Sequence, residues 1–353
     1  GIISVHKSKE TLKMDIQNLK DPHIAVISDI HGNYVALERC LDHAASNQAN
    51  AYLFLGDYVS ELAYPERTMR LLYETAQKYP CMFIRGNKED YWFQFRDRGE
   101  TGWEYGNSTS GALLYAYRSL TSRDFDFFSQ MPASRKLLLE GFPGITACHG
   151  SPFRVNEKML PEDENTLQIM ERTQTPLILF GHTHVRTRIA GKDRLAINPG
   201  SAGISYRSGG KAQYLLLHGR NGGWEEEPVS LPYDTDRVIR ELHESGLYRH
   251  APYWCVVTEN ILRGGELSHG TVLARVMELC TQDTGSCSWP DIPEKYWEKV
   301  IAELKLGNEG KRRQKDGRSK GGKDFYVPGQ SAGGNDSGYP EAERDTGLQE
   351  GCR

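Results

Sequence analysis

The chain lacks long apolar runs: nowhere in its 353 residues do about 18 consecutive apolar side chains occur, as a membrane helix needs. Charge of one sign is not in excess either, since 43 Lys and Arg balance 47 Asp and Glu to a net charge of −4. This balance gives no strong signal for a nucleic-acid-binding surface. Residues 1–20 are polar and charged, unlike a secretory signal.

Paired cysteines are also lacking. The seven cysteines are Cys40, Cys81, Cys148, Cys255, Cys280, Cys287 and Cys352. Their number is odd and no CxxC pair occurs, which argues against a disulfide framework and against a cysteine-type zinc site. A reducing compartment suits this pattern, and we expect a cytoplasmic protein without a membrane segment.

Short apolar runs alternate with helical patterns in the first half of the chain. The runs are His23–Ser28, Ala51–Leu55, Cys81–Ile84, Gly144–Cys148 and Leu177–Phe180. Each is short and rich in Ile, Leu, Val or Phe, as a buried strand is. Helical spacing lies between them at Tyr34–Ala45 and Pro65–Lys78. This alternation predicts an α/β (α+β) fold.

The pattern changes after Leu177. Four further segments are typical of short strands, Arg186–Ala190, Arg194–Ile197, Ala212–Leu217 and Glu227–Leu231, and they predict a second, mostly antiparallel sheet. Helical patterns then follow from Thr235, the last at Asp291–Leu304 with Asp291 as N-cap.

Four regions follow from these patterns. They are an N-terminal extension (1–21), a main domain (22–232), a helical appendage (233–306) and a disordered tail (307–353). The tail contains a basic run at 311–323, which is typical of a solvated tail and less so of a nucleic-acid-binding arm.

Five small motifs follow the five apolar runs. They are Asp29-Ile30-His31-Gly32-Asn33, Gly56-Asp57-Tyr58, Gly86-Asn87-Lys88-Glu89, His149-Gly150-Ser151 and Gly181-His182-Thr183-His184. Each places an oxygen or nitrogen donor on the loop that leaves a strand, and such loops gather at one edge of an α/β sheet. Any one motif alone is weak, but their joint position at five strand ends predicts one site.

The donor types predict a metal site. Carboxylate, amide oxygen and imidazole without thiolate favour divalent Mn, Fe, Zn or Ni over a soft metal. Seven donors are about what two ions need, and two ions 3.5–4 Å apart polarise a phosphoryl group and activate water. The sequence therefore predicts a dinuclear centre, with Mn favoured.

The motif order, followed by Asn198-Pro199-Gly200-Ser201, resembles the calcineurin-like metallophosphoesterases over about residues 22–232. It is most similar to the compact bacterial and archaeal phosphodiesterase branch. The resemblance implies a two-sheet sandwich flanked by helices. It also implies that Asp29, His31 and His184 bind one ion, that Asn87, His149 and His182 bind the other, and that Asp57 bridges both.

One position departs from the family pattern. Many members have a histidine, which contacts the phosphate, where this chain has Lys88. An ordinary lysine, with a pKa of about 10.4, is a poor proton donor at pH 7. Lys88 either supplies positive charge to the site, beside the catalytic Asp57 and Asn87, or forms a surface salt bridge with Glu89 or Asp90. The change favours substrates with good leaving groups, namely phosphodiesters, pyrophosphate bonds or aryl esters. We expect the substrate to be a small phosphodiester or a nucleotide.

Several neighbours of the motifs have two interpretations each. The segment Tyr91–Tyr117 is rich in aromatics that either pack in the core or face a substrate, with Trp103 and Tyr105 the best substrate-facing pair. Arg85, Arg154 and Tyr206 either contact the phosphate or are structural.

Two other functions share this residue pattern. One is a serine/threonine protein phosphatase, which the missing histidine disfavours because serine is a poor leaving group. The other is a non-catalytic scaffold with the same fold, as in a retromer subunit, which the complete set of seven donors disfavours. The oligomeric state is not predicted.

Overall fold

The computed structural model describes residues 16–307, in which ten strands form two five-stranded sheets. The strands are β1 (His23–Ile27), β2 (Ala51–Phe54), β3 (Cys81–Phe83), β4 (Ser134–Leu137), β5 (Ile145–Cys148), β6 (Leu177–Leu179), β7 (Thr187–Ala190), β8 (Leu195–Asn198), β9 (Ala212–Arg220) and β10 (Gly223–Leu231). The five apolar runs became strands with at most one residue trimmed at either end. The sequence did not predict β4, whose side chains are mostly partly buried or exposed.

Both sheets mix parallel and antiparallel pairs. The first has the order β10-β9-β1-β2-β3, in which β1, β2 and β3 are parallel and β9 is antiparallel to β1. The second has the order β4-β5-β6-β8-β7. The expectation that the four late strands form a sheet of their own was wrong, because β9 and β10 join the first sheet while β7 and β8 join the second.

Alternation along the central strands divides the core into layers. In β1, Ile24 and Val26 lie in the apolar layer that also contains residues of β5 and β6, whereas Ala25 and Ile27 belong to the cluster under the helices. All four side chains are fully buried, because successive strand residues point to opposite faces and both faces are covered. The result is the two-sheet sandwich flanked by helices that the resemblance implied.

Eleven α-helices occur within residues 16–307. They are α1 (Tyr34–Ser46), α2 (Pro65–Lys78), α3 (Asn87–Asp97), α4 (Gly111–Ser119), α5 (Ser122–Ser129), α6 (Glu164–Arg172), α7 (Thr235–Glu244), α8 (Leu247–His250), α9 (Pro252–Leu262), α10 (His269–Thr284) and α11 (Glu294–Glu303). A short 3-10 helix, Ile16–Asn18, precedes β1. The predicted α2 is found with the same bounds. Helix α11 begins three residues later than predicted, so Asp291 is not its N-cap residue and Pro293 takes that position.

Helices α7–α11 share a core with the main domain. Trp254 and Trp297 are fully buried in the same apolar cluster as the helix-facing side of the first sheet. The Trp297 indole donates a hydrogen bond to Thr109 Oγ1 at 2.9 Å, and Tyr34 donates from α1 to Glu241 on α7 at 2.7 Å. Contacts of this kind fix the helices against the domain.

Most of the predicted extension and nearly all of the predicted tail lie outside the described residues, as does the basic run at 311–323. Between residues 16 and 307, no helix has both the length and the apolar character that a membrane span requires.

Candidate metal centre

The loops that follow β1, β2, β3, β5 and β6 bring the seven predicted donors together. Their exposed fractions are 0% for Asp29, 1% for His31, 2% for Asp57, 4% for Asn87, 0% for His149, 2% for His182 and 7% for His184. Carboxylates and imidazoles are seldom buried to this extent unless they are paired or bind a metal.

Unusual backbone angles aim these side chains. Five of the seven have a positive φ: Asp29 (53°), His31 (50°), Asp57 (57°), His182 (71°) and His184 (57°). Non-glycine residues adopt this region rarely and at an energetic cost, and they concentrate at functional sites. The surrounding structure therefore holds these loops in strained conformations that place the five side chains in the site.

Gly56 shows why a glycine precedes one of these donors. Its φ is 99°, and a Cβ atom there would lie 2.5 Å from the backbone nitrogen of Gly86 and 2.9 Å from His149 Nδ1. The absent side chain lets the loops after β2, β3 and β5 approach one another.

One group of donors comprises Asp29, His31 and His184. Asp29 Oδ1 lies 3.3 Å from His184 Nε2 and 3.8 Å from His31 Nε2. The two imidazoles approach each other, with Nε2 to Nε2 at 2.9 Å. These atoms all lie within 4.8 Å of one another, as the ligands of one metal ion do.

A second group comprises Asp29, Asp57 and His149. Asp57 Oδ2 lies 3.4 Å from His149 Nε2 and 3.6 Å from His31 Nε2, between the two groups. Asn87 Oδ1 is 3.0 Å from His149 Nε2. Both carboxylates thus border both groups, and the division of ligands between two ions stays a prediction.

The hydrogen bonds on the far side of each ring determine which nitrogens have lone pairs. Nδ1 of His184 donates to the carbonyl oxygen of Ile204 at 2.7 Å, and Nδ1 of His149 donates to that of Leu55 at 2.7 Å. Nδ1 of His31 lies 2.7 Å from the Glu61 carboxylate. Since these oxygens only accept, the neutral rings carry their proton on Nδ1 and point the lone pair of Nε2 into the site.

These lone pairs require a cation. Two neutral Nε2 atoms 2.9 Å apart repel each other unless a proton or a metal ion lies between them. Within residues 16–307, Asp29 Oδ1 and His182 Nε2 are buried and have no hydrogen-bond partner. Unpaired buried acceptors are costly, so the donor set fits bound divalent ions.

The electrostatics of the site also favour positive charge. Burial by itself would lower the pKa of His31, but the nearby carboxylates, Glu61 foremost, raise it to about 10. Burial likewise opposes the charge on His149, yet Asp57 and Asp29 raise its pKa to about 9. Burial and the neighbouring His149 lower the pKa of His182 to about 3, so its imidazole is held neutral.

Glu61 was not among the predicted site residues. This glutamate is 3% exposed, lies 2.7 Å from His31 Nδ1 through Oε2, and lies 3.5 Å from Lys88 Nζ through Oε1. It belongs to no recognised motif, and its position four residues after Asp57 was its only signal.

Lys88 faces the site. It is only 3% exposed and pairs with Glu61, so the interpretation as a surface salt bridge with Glu89 or Asp90 was wrong. Asp90 instead pairs with Arg85 at 2.8 Å.

Glu89 has a separate structural role. Its carboxylate accepts hydrogen bonds from the backbone nitrogens of Gly86 (2.7 Å), Asp57 (3.0 Å) and Tyr58 (3.0 Å). Burial and the nearby Asp57 raise its pKa to about 7. Glu89 thus joins the loop after β2 to the loop after β3.

A cavity of about 10 Å³ lies among the donors, roughly the space of one water molecule. It is lined by His31, Asp57, Glu61, Asn87, Lys88, His182, His184, Tyr206 and His269. Tyr206 stacks on His184 with ring centroids 4.9 Å apart. His269 belongs to α10, a helix that was not predicted to reach the site.

Three residues that were candidates for contact with the substrate or its phosphate lie outside the cavity, namely Trp103, Tyr105 and Arg154. Trp103 stacks on Phe95 at 4.0 Å, and Tyr105 is 56% exposed and packs against His250. Neither lines the cavity. Arg154 is exposed and also absent from its lining. The aromatic segment therefore serves mainly in packing.

A two-sheet sandwich with carboxylate, amide and imidazole donors at its strand ends is the arrangement that the resemblance to the metallophosphoesterases implied. Residues 22–186 match the family model described as calcineurin-like phosphoesterase. The match comprises slightly less than half of the chain, which is similar to this family over that region.

Relatives extend the similarity beyond the matched region. The chain is 24% identical over 249 residues to the uncharacterized protein MJ0912 of Methanocaldococcus jannaschii, covering 65% of this chain and 94% of that protein. The structure of hypothetical protein PH1004 from Pyrococcus horikoshii superposes with a TM-score of 0.59 at 18% identity, over 69% of this chain and 99% of that one. A metallophosphoesterase from Sphaerobacter thermophilus gives 0.53 at 21% identity, over 64% and 94%. These two likenesses show the fold.

A shorter match involves a named phosphatase. The chain is 40% identical over 77 residues to the serine/threonine-protein phosphatase PP2A-like PPG1 of Candida albicans. The match covers 21% of this chain and spans only 18% of that protein.

Proposed function

We propose that the protein is a phosphodiesterase, or a nucleotide or pyrophosphate hydrolase, that uses two divalent ions, with Mn favoured. The observation that carries the proposal is the position of Asp57 Oδ2, 3.6 Å from His31 Nε2 and 3.4 Å from His149 Nε2. One carboxylate oxygen placed between two imidazole lone pairs is suited to bridging two ions. When bound, two such ions polarise a phosphoryl oxygen and lower the pKa of water towards neutrality.

The residues of the chain divide this work between them. Asp29, His31 and His184 would hold one ion, Asn87, His149 and His182 the other, and Asp57 both. Asp57 is itself fixed by the backbone nitrogen of Lys88, which donates to Oδ1 at 2.9 Å and leaves Oδ2 towards the histidines. The ammonium group of Lys88 adds positive charge beside the position of a bound phosphate.

The substrate class follows from Lys88. Its ammonium group is paired with Glu61, so it is better suited to holding charge than to giving a proton to a departing alcohol. Esters whose leaving group departs without a proton are then preferred, which includes aryl phosphodiesters and pyrophosphate bonds. A steep dependence of rate on leaving-group pKa is expected, and a flat one would contradict this assignment.

Hydrolysis of bis(p-nitrophenyl) phosphate tests the proposal, with wild type compared to Asp57→Asn in the presence of Mn²⁺. The amide keeps the shape of the carboxylate but removes its charge, so we expect wild-type turnover and an inactive Asp57→Asn. Asp42→Asn, on the exposed side of α1, is the matched control and should behave as wild type. If the wild-type protein is folded but inactive with Mn, Fe, Co, Ni and Zn, the alternative of a non-catalytic scaffold with the same fold is favoured.

A phosphoserine peptide in the same assay tests the protein phosphatase alternative. We expect little turnover of it beside the aryl diester. Faster turnover of the peptide than of the aryl diester would favour a protein phosphatase over a phosphodiesterase.

A further inference from the structure

A histidine of the helical region reaches the metal centre. His269 is the first residue of α10, more than 80 residues beyond the region that the family model matches. It is 3% exposed and lines the cavity together with His31, His184 and Lys88.

Two fully buried neighbours orient the ring. Nε2 of His269 lies 2.7 Å from Thr258 Oγ1 on α9, and the ring stacks on Trp254 with centroids 4.3 Å apart and planes inclined by 18°. A ring held by both a hydrogen bond and a stacked aromatic has little freedom to turn. Since Nε2 is bonded to Thr258, Nδ1 is the nitrogen left for the cavity.

Nδ1 can serve as a donor without any change of charge. The Thr258 hydroxyl lies 2.9 Å from the carbonyl oxygen of Trp254 and 2.7 Å from His269 Nε2, so it can donate to either. When it donates to Nε2, the neutral imidazole carries its proton on Nδ1. Burial lowers the pKa of His269 to about 3, with Glu61 opposing and His184, His31 and Lys88 adding to the effect, so the ring is neutral.

We propose that His269 is a substrate-contacting residue whose Nδ1 hydrogen-bonds an oxygen of the phosphoryl group held at the metal centre. Lys88 faces the same cavity from the first turn of α3, so a phosphoryl oxygen that enters the cavity would contact both a fixed neutral donor and a cation. Helices α9 and α10 are then part of the active site. The inference rests on the proposed function for the nature of the ligand, but phosphate binding does not depend on diester turnover.

A pair of amide substitutions separates contact from packing. The side-chain nitrogen of Asn corresponds in position to Nδ1 of histidine, and that of Gln corresponds to Nε2. His269→Gln therefore keeps the hydrogen bond to Thr258 and loses the contact with the phosphate. His269→Asn keeps the contact with the phosphate and loses the hydrogen bond to Thr258. A purely structural role for the ring predicts that Gln is tolerated better than Asn, and substrate contact predicts the opposite order for phosphate binding.

Calorimetric titration of inorganic phosphate into the full-length, Mn-loaded protein provides the test. We expect the Kd for phosphate to rise roughly 10–100-fold in His269→Gln, as for a lost hydrogen bond to a charged group, and less in His269→Asn. Mn stoichiometry should stay at the wild-type value in both. His243→Ala, a histidine on α7 whose side chain is 54% exposed, is the control. All variants are compared at a temperature at which circular dichroism shows them folded.

The results distinguish a failure of the inference about His269 from a failure of the proposed function. Equal phosphate affinity in wild type and His269→Gln, or weaker binding in Asn than in Gln, would overturn the inference. Phosphate binding that depends on His269 in a protein that hydrolyses no diester would refute the proposed function and leave the inference standing. If the protein hydrolyses the diester and its phosphate affinity does not change in the His269 variants, the inference is refuted and the proposed function stands.

Discussion

Replacing Glu61 by glutamine tests whether the site depends on a residue outside the motifs. The Glu61 carboxylate holds His31 Nδ1 at 2.7 Å and faces Lys88 Nζ at 3.5 Å, all three side chains being buried. The hydrogen bond fixes the proton of His31 on Nδ1 and the lone pair on Nε2, where a metal ion would bind. Glutamine keeps the volume but removes the charge and weakens the acceptor.

The size of the effect follows from these two contacts. A hydrogen bond to a charged group is worth about 1.5–3 kcal/mol, and outer partners of metal-binding histidines change metal affinity by about 10–100-fold. We therefore expect the Mn²⁺ affinity of Glu61→Gln to fall about 10–100-fold at one of the two predicted metal sites, the one that contains His31. Loss of a buried pair costs about 3–5 kcal/mol, and the lower end applies here because Asp57 also faces Lys88. At roughly 2 °C per kcal/mol for a domain of this size, the metal-free protein should melt about 6 °C lower.

Calorimetric Mn²⁺ titration and a melting curve of the metal-free protein measure both effects. Glu66→Gln, an exposed position on α2, is the matched control and should change neither. Wild-type Mn²⁺ affinity in Glu61→Gln would refute the positioning role. An unchanged melting temperature would show that the pair with Lys88 contributes nothing to stability.

Three further predictions concern the loops, the pH dependence and the helical region. Gly56→Ala should destabilise the protein by about 3 kcal/mol or more in urea unfolding, because φ is 99° and the new Cβ atom would lie 2.5 Å from Gly86 N; a loss below about 1 kcal/mol would contradict this. Mn²⁺ affinity should rise with pH between 6 and 9, about tenfold per unit for each proton displaced, because the pKa of His31 is raised to about 10 and that of His149 to about 9 and metal binding must release those protons. A Kd independent of pH would show that neither imidazole binds the ion. Trp297→Phe should cost about 1–3 kcal/mol through the lost bond to Thr109 while Mn²⁺ affinity stays at the wild-type value; weaker Mn²⁺ binding would couple α11 to the site.

Local features of the sequence determined the elements that carry the motifs. The runs that became β1, β2, β3, β5 and β6 are short and apolar because their strands are buried on both faces, and this property is visible in any single run. The donors follow directly after those runs, so their meeting at one edge followed from the α/β pattern. The fold and the seven candidate donors could be predicted for that reason.

Pairings between distant segments could not be predicted in the same way. Alternation shows that β9 is a strand, but its place beside β1 depends on the edge of β1 that β2 leaves free. The packing of Trp103 on Phe95 likewise depends on how the loop after α3 folds back.

Only the tertiary structure decided which further residues face the metal centre. Glu61 lies four residues after Asp57, but the turn of the loop places its carboxylate against His31 and Lys88. His269 is 85 residues beyond His184 in the chain and reaches the same cavity because α9 and α10 pack on the core of the main domain. The five positive φ angles at the donors belong to the same category, because residue type alone does not favour them and only the surrounding contacts hold them. Composition and spacing determine which side chains can bind a metal, whereas contacts between distant segments determine what surrounds it.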